Sequence, residues 1–416
     1  MDTIDVYGKN PLYGAVRIQG SKNAVLPILT GALLIPGKTV IHNCPKILDT
    51  YHMIDILKSV GCIVKRDGSD LLIDAEKIFT CEIPVESADK MRSSIIFLGA
   101  MLGRRKEAKI PYPGGCVIGK RPFDFHIDAL TSMGAMIQRK ESFLYGKTEK
   151  LHGERIDLKF PSVGATENII LAAVSADGIT EIHGAAKEPE IFELCRFLNG
   201  AGAKISGAGS ETIIIQGVDY LHDSEYTIVP DRIVAGTYCF AVAATRGMAL
   251  LEEVPVEQMG AIIDILKQMG CIIAPGPNTL FLDAKMCNGP IPYLATDVYP
   301  GFPTDLQSPL MSVLCTADGV SQIKETIFEG RFRVAQELRK MGAVIEIEEQ
   351  KARIYGSSLH GESVSAQELR GGAALVIAGL CATGKTTISN AFYIGRGYED
   401  ICGDLKALGA KIAYRP

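Results

Sequence analysis

Hydrophobic positions along this chain fall into one phrase used six times. It reads LKSVGCIV at 57–64, LTSMGAMI at 130–137, LNGAGAKI at 198–205, LKQMGCII at 266–273, LRKMGAVI at 338–345 and LKALGAKI at 405–412. Two apolar residues three positions apart close a helix. The glycine then caps it in the left-handed region, and an alternating strand follows. The capping glycines Gly61, Gly134, Gly202, Gly270, Gly342 and Gly409 recur every 67 to 73 residues. In five copies a second phrase comes 23 to 25 residues earlier, where an apolar helix ends at Gly37, Gly178, Gly247, Gly319 or Gly384 and a strand begins. The second copy instead has LGAMLGRRKEAKI, which runs into PYPGGCVIGKRPFDFH at 111–126.

Each unit therefore predicts strand, helix, strand, helix, strand, strand. Helices as apolar as MRSSIIFLGAML and LRGGAALVIAGL have little solvent face, so sheet must cover them on nearly all sides. Six units over 416 residues give an α/β chain of two domains with three βαβαββ units in each. The expected boundary lies near residue 230. The first domain spans 20–229 and carries the loop 111–122, and the second spans 1–19 and 230–416. Strand 2–8 precedes the first full unit and is free to complete a sheet in the second domain. A doubly wound α/β protein would explain the alternation but not the equal spacing. CATGKTTI at 381–388 resembles a phosphate loop but lacks the four-residue gap between its glycines.

Composition narrows the function classes. The chain is 47% hydrophobic and 22% charged, with a net charge of -5 and no long basic run, which argues against nucleic-acid binding. The start, MDTIDVYGKN, is polar, and no uninterrupted apolar stretch reaches the length of a membrane span, so a cytoplasmic location is expected. The eleven cysteines form no CxxC pair and are expected to be reduced, most of them in the core.

Polar residues open the apolar helices. Lys22 and Asn23 open the first, Arg92 the second, Glu167 and Asn168 the third, Asp231 and Arg232 the fourth, Asp305 the fifth and Arg370 the sixth. Helix starts stabilise anions, and basic residues there strengthen the effect. Lys22, Arg92, Arg121, Arg331 and Arg370 are thus candidates for holding a strongly anionic substrate. Asp305 can be read as an N-cap or as an acid/base carboxylate. Cys116 follows Pro113, Gly114 and Gly115 and has Lys120 and Arg121 nearby. Positive charge favours the thiolate, and no second ligand sits at metal spacing, so a structural and a reactive thiol both stay open.

The combination GSKNA, PGGCVIGKRPFDFH, PSVGATENI, EPEI, YPGFPTD and RGYE, spread over nearly the whole chain, resembles the UDP-N-acetylglucosamine 1-carboxyvinyltransferase family of enolpyruvyl transferases. These are relatives of 5-enolpyruvylshikimate-3-phosphate synthase. The resemblance implies two inside-out α/β domains with pseudo-threefold symmetry. It also implies enolpyruvyl transfer from phosphoenolpyruvate to the 3'-hydroxyl of UDP-N-acetylglucosamine, with release of phosphate, at the start of peptidoglycan synthesis. No metal or organic cofactor is implied, and no nucleic-acid or membrane partner. A monomer is expected, with room for weak self-association. By resemblance the catalytic residues are Cys116, Lys22, Asp305 and Asn23, and Cys116 is the site alkylated by fosfomycin. Substrate contacts fall on Arg92, Arg121, Pro122, Phe123, Asp124, Phe125, Pro161, Ser162, Val163, Gly164, Asp231, Ile327, Glu329, Arg331, Arg370 and Lys406. Departures from the family pattern are Lys406 for arginine, Gly330 and Val334 for asparagine and histidine, His183 and Gly184 for Glu-Asn, and Lys187 for arginine. They leave two other readings: a transferase for another hydroxyl acceptor, or a weakly active regulatory relative that binds UDP-N-acetylglucosamine.

Overall fold

The computed structural model describes residues 2–114, 118–119 and 123–416. The described chain divides into two compact units. One holds residues 20–114 and 123–229, and the other holds 2–19, 118–119 and 230–416. Each is built around helices with no polar face. In the second unit Arg232–Ala244, Gln307–Leu314 and Leu369–Cys381 are buried along almost their whole length. Helices packed on each other still need cover on their outer sides, and three four-stranded sheets supply it. The first unit repeats the plan with Lys22–Gly31, Phe97–Arg105 and Val163–Ala173. It has two four-stranded sheets and one three-stranded sheet, the last coming from the unit that lacks the turn glycine.

All six capping glycines have positive φ, between 87° and 121°, where a side chain would be strained. Other glycines are needed for close approach. A Cβ at Gly356 would lie 1.8 Å from the Ala317 carbonyl oxygen, and one at Gly217 1.7 Å from that of Ala176. These two glycines, just past strands Thr212–Gln216 and Lys351–Tyr355, let the chain pass close to the residues that follow helices Val163–Ala173 and Gln307–Leu314.

Sheet pairing is less local than the repeat implies. Tyr13–Arg17 runs parallel to Met248–Glu252 in the second unit, and Ser224–Thr227 runs parallel to Lys38–His42 in the first. Thr3–Tyr7 lies antiparallel between Lys385–Ser389 and Lys411–Arg415, as the inner strand of its sheet. Asp5 is buried there, with its carboxylate 3.0 Å from Lys385 Nζ and 2.6 Å from Arg415 Nε. Among the described residues no helix is long and apolar enough to cross a membrane.

The sequence expectation kept all of 111–122 with the first domain. Ile118 and Gly119 instead group with the second unit. The Gly330 N–H donates to the Ile118 carbonyl at 2.7 Å, and a Cβ at 330 would lie 2.7 Å from that oxygen. Glycine at this departure from the family pattern is what allows the approach.

Candidate active site

In the second unit, three of the expected residues stand at the starts of the core helices, and a fourth, Arg331, joins them from the 3-10 turn Arg331–Arg333. Asp231 caps Arg232–Ala244, accepting from the Ile233 and Val234 amides at 2.8 and 3.0 Å. Asp305 sits in the 3-10 turn Thr304–Leu306 that leads into Gln307–Leu314, and its side chain caps nothing. Its carboxylate takes two guanidiniums instead. One oxygen pairs with Arg331 Nη2, and the other accepts from Arg370 Nη2 at 3.1 Å and Arg370 Nε at 3.3 Å. Arg331 and Arg370 are 4% and 2% exposed, while the Asp305 side chain keeps 25% of its surface. The acid therefore faces outward from a buried basic floor. The two arginines, not helix amides, hold the Asp305 carboxylate, which rules out the N-cap reading.

The floor has supports that sequence reasoning missed. Glu368 accepts the Arg370 amide at 2.8 Å and the Gly371 amide, so it caps Leu369–Cys381, and it lies 3.6 Å from Arg331 Nη1. The signal was an acid directly ahead of an apolar helix. Tyr398, fully enclosed, accepts from Arg370 Nη1 at 3.3 Å and bonds Thr237 at 2.8 Å. Burial alone would lower the Arg370 pKa. The fields of Asp305, Tyr398 and Asp231 outweigh it and hold the pKa above the ordinary arginine value.

Of the remaining second-unit candidates, Ile327 donates its amide to Glu325 at 2.9 Å, and Glu325 also accepts from Thr304 at 3.0 Å. Glu329 lies against Gly119, where a Cβ would meet its carboxylate at 2.5 Å. Lys406 is exposed on the short helix Ile401–Ala407 and is not among the groups around Asp305.

In the first unit, Ser21 caps the helix that opens with Lys22 and Asn23, and Lys22 Nζ lies 3.1 Å from the buried carboxylate of Asp49. The Arg92 guanidinium stands 3.9 Å from the Phe123 ring centroid. Phe123 meets His126 edge-on, and His126 Nδ1 accepts from the Asn168 side-chain amide at 2.9 Å. Burial first, then the Arg92 charge, pushes the His126 pKa down to about 4, so the ring is neutral at pH 7 and can accept. Asn168 also accepts from the Gly99 amide at 2.6 Å and donates to the Ile95 carbonyl, which fixes two core helices against each other. Ser162 caps the helix that begins at Val163, and a Cβ at Gly164 would touch His126 at 3.3 Å. Pro161 to Gly164 thus form a half-buried helix start beside the His126 ring. Asp124 is turned to the surface and paired with Arg139 at 2.5 Å, while Phe125 is half-buried. Cys116, Arg121 and Pro122 lie outside the described residues.

Among the described residues no three His, Cys, Asp or Glu side chains are grouped to hold a metal ion. What the second unit presents is the Asp305 carboxylate held on Arg331 and Arg370, with Glu368 and Asp231 close to the same arginines. A partly exposed carboxylate held in this way can handle one proton beside fixed positive charge.

Comparison with known proteins fits this arrangement. The family described as EPSP synthase (3-phosphoshikimate 1-carboxyvinyltransferase) matches residues 6–405. The chain is 46% identical to UDP-N-acetylglucosamine 1-carboxyvinyltransferase 2 of Caldanaerobacter subterraneus, over 99% of both chains. It is 43% identical to the protein of the same name from Carboxydothermus hydrogenoformans, also over 99% of both. Among solved structures it resembles the enolpyruvyl transferase NikO from Streptomyces tendae, with a TM-score of 0.89 and 25% identity, over 100% of this chain and 99% of that one. EPSP synthase from Acinetobacter baumannii shares the fold, with a TM-score of 0.76 and 19% identity over 100% of both chains. With a fold of three-unit domains, a carboxylate seated on buried arginines and relatives alike over their whole length, this chain belongs to the enolpyruvyl (1-carboxyvinyl) transferase family.

Proposed function

We propose that this chain transfers the enolpyruvyl group of phosphoenolpyruvate to the 3'-hydroxyl of UDP-N-acetylglucosamine and releases phosphate. The observation that carries this reading is the 46% identity, over 99% of both chains, to a transferase named for that acceptor. The seating of Asp305 on Arg331 and Arg370 supports it from the side of chemistry.

The reaction is an addition followed by an elimination. C3 of phosphoenolpyruvate gains a proton, and the cationic character that develops at C2 draws the sugar hydroxyl. The new O–C2 bond forms as the hydroxyl proton leaves toward Asp305, which is within reach of solvent and substrate. A tetrahedral intermediate then loses a C3 proton and expels phosphate, which restores the double bond. Lys22, Arg92, Arg121 and Arg370 are assigned to the phosphate and carboxylate charges through that intermediate. Arg331 orients Asp305. Asn23 is assigned beside Lys22, and Cys116 is assigned to acid assistance and product release, following the family resemblance. Pro122, Phe123, Asp124, Phe125 and the helix start Pro161 to Gly164 are assigned to the uridine end. Asp231, Ile327 and Glu329 are assigned to the sugar side. The exposed Lys406 is assigned a charge contact weaker than a planar arginine would make.

Purified protein given phosphoenolpyruvate should release phosphate only when UDP-N-acetylglucosamine is present, and the product mass should rise by an enolpyruvyl group. Release with another hydroxyl acceptor but not this one would overturn the assignment of acceptor. Cys116→Ala should still bind the sugar nucleotide yet escape covalent labelling by fosfomycin in an intact-mass experiment. Equal labelling of the variant would remove Cys116 from its assigned place.

A further inference from the structure

Glu325 has no place among the groups assigned to substrate, yet its side chain is tied to two of them. It follows strand Val320–Lys324, and the sheet fixes its backbone. The Glu325 amide donates to the Gln350 carbonyl at 2.8 Å, and the Thr326 amide donates to the Thr296 hydroxyl at 2.9 Å. Glu325 is 1% exposed. A carboxylate so enclosed needs donors, and one oxygen has three. Oε1 accepts from the Thr304 hydroxyl at 3.0 Å, the Ile327 amide at 2.9 Å and the Phe328 amide at 3.0 Å. Oε2 is buried and bonds nothing among the described residues.

The first of these bonds leads to Asp305. The Thr304 hydroxyl gives its proton to Glu325, which turns a lone pair toward Arg331, and Arg331 Nε donates to it at 3.2 Å. Arg331 Nη2 holds Asp305, and Nη1 lies 3.6 Å from Glu368. All three nitrogens of a buried, planar fork are then engaged, which leaves the guanidinium one orientation. Thr304 also directly precedes Asp305 in the turn Thr304–Leu306, so holding it restrains Asp305 through the backbone as well.

We propose that Glu325 is a positioning residue for the transferase site, acting through Thr304 and Arg331 on the Asp305 carboxylate. The proposal rests on the reading that Asp305 takes the proton of the sugar hydroxyl. The same Glu325 oxygen pins the amide of Ile327, which is assigned to the sugar side. Glu325 thus sets both the aim of the proton-accepting group and the seat of the sugar, and the two effects separate. Thr304→Val breaks only the path to Arg331 and leaves the amide bonds at 327 and 328. Glu325→Ala breaks both. Glu325→Gln keeps an oxygen for all three donors and changes only the atom that bonds nothing.

The test measures phosphate release by these variants, with rates taken per site that binds UDP-N-acetylglucosamine. Thr304→Val should lower kcat on the order of 10- to 100-fold and leave the KM for the sugar nucleotide within about twofold of the parent. Thr304→Ser should restore most of the kcat. Glu325→Ala should lower kcat to a similar degree and also raise KM, and Glu325→Gln should recover most of both. If Glu325→Ala does not fold, the Thr304 pair and Glu325→Gln carry the test. In an Asp305→Asn background, Thr304→Val should cost less than about a further twofold, because the group it aims is already disabled. A full additional loss there, or an unchanged kcat in Thr304→Val, would overturn the proposal and leave the role of Asp305 standing. An Asp305→Asn variant with the parent kcat would instead overturn the reading beneath it, and the proposal with it.

Discussion

Asp305 meets two demands that usually conflict. In the proposed reaction it must be held in one orientation, which the contacts with Arg331 and Arg370 provide, and must stay within reach of a substrate hydroxyl, which its remaining exposure allows. Asp305→Asn keeps the shape but cannot take a proton. It should lower kcat by roughly 10²- to 10⁴-fold in the phosphate-release assay, with UDP-N-acetylglucosamine binding largely kept. A second carboxylate makes a separate prediction. Asp404 accepts the Tyr238 hydroxyl at 2.5 Å, and burial is the main cause that pushes its pKa up to about 6. The folded state therefore holds this proton more tightly than the unfolded chain. The stability it gives is complete below the ordinary carboxylate range and is lost as pH rises through about 6. Urea unfolding at a series of pH values should show that slope, and Asp404→Asn should flatten it. At this scale the sequence pointed to Asp305, Arg331 and Arg370 one by one, through their places at or near helix starts. It could not show that they share one cluster, because they lie far apart in the chain. Tyr398 stood inside the quoted RGYE and still went unassigned, since nothing local tells a phenol that buttresses an arginine from one that fills a core.

The six core helices show where periodicity is enough. Their all-round apolar character, together with the capping glycines, announced helices enclosed by sheet, and the positive φ at each cap has a local cause that the sequence carries. The strand exchanges of Tyr13–Arg17 and Ser224–Thr227 were not legible, because parallel pairing is decided by distant partners and not by alternation. Close packing at the helix ends makes its own prediction. Gly356→Ala puts a methyl group against the Ala317 carbonyl and should cost about 1–3 kcal/mol in chemical unfolding, more if the backbone cannot shift. Gly68→Ala meets nothing within 4 Å, so it should lose only what its positive φ costs.

For the whole chain, the register of the first strand sets the rules for rearrangement. Thr3 stands opposite Arg415 in an antiparallel pair, so the two ends of the chain lie side by side. A permutant that joins them by a short turn, with new ends after the exposed turn residue Gly209, should fold and retain transferase activity. Deleting residues 2–8 should behave oppositely. It strips the inner strand from its sheet and leaves Lys385 and Arg415 without Asp5, so the variant should unfold at clearly lower urea than the parent.

That inner strand also dictates an order of events on the ribosome. Residues 20–229 have all their sheet partners once Ser224–Thr227 has emerged, so this half can finish while the other is still being made. Thr3–Tyr7, in contrast, must wait for Lys385–Ser389 to pair one of its edges and for Lys411–Arg415 to pair the other. Its buried aspartate keeps the waiting segment polar at its centre, which discourages it from pairing with a neighbouring nascent chain.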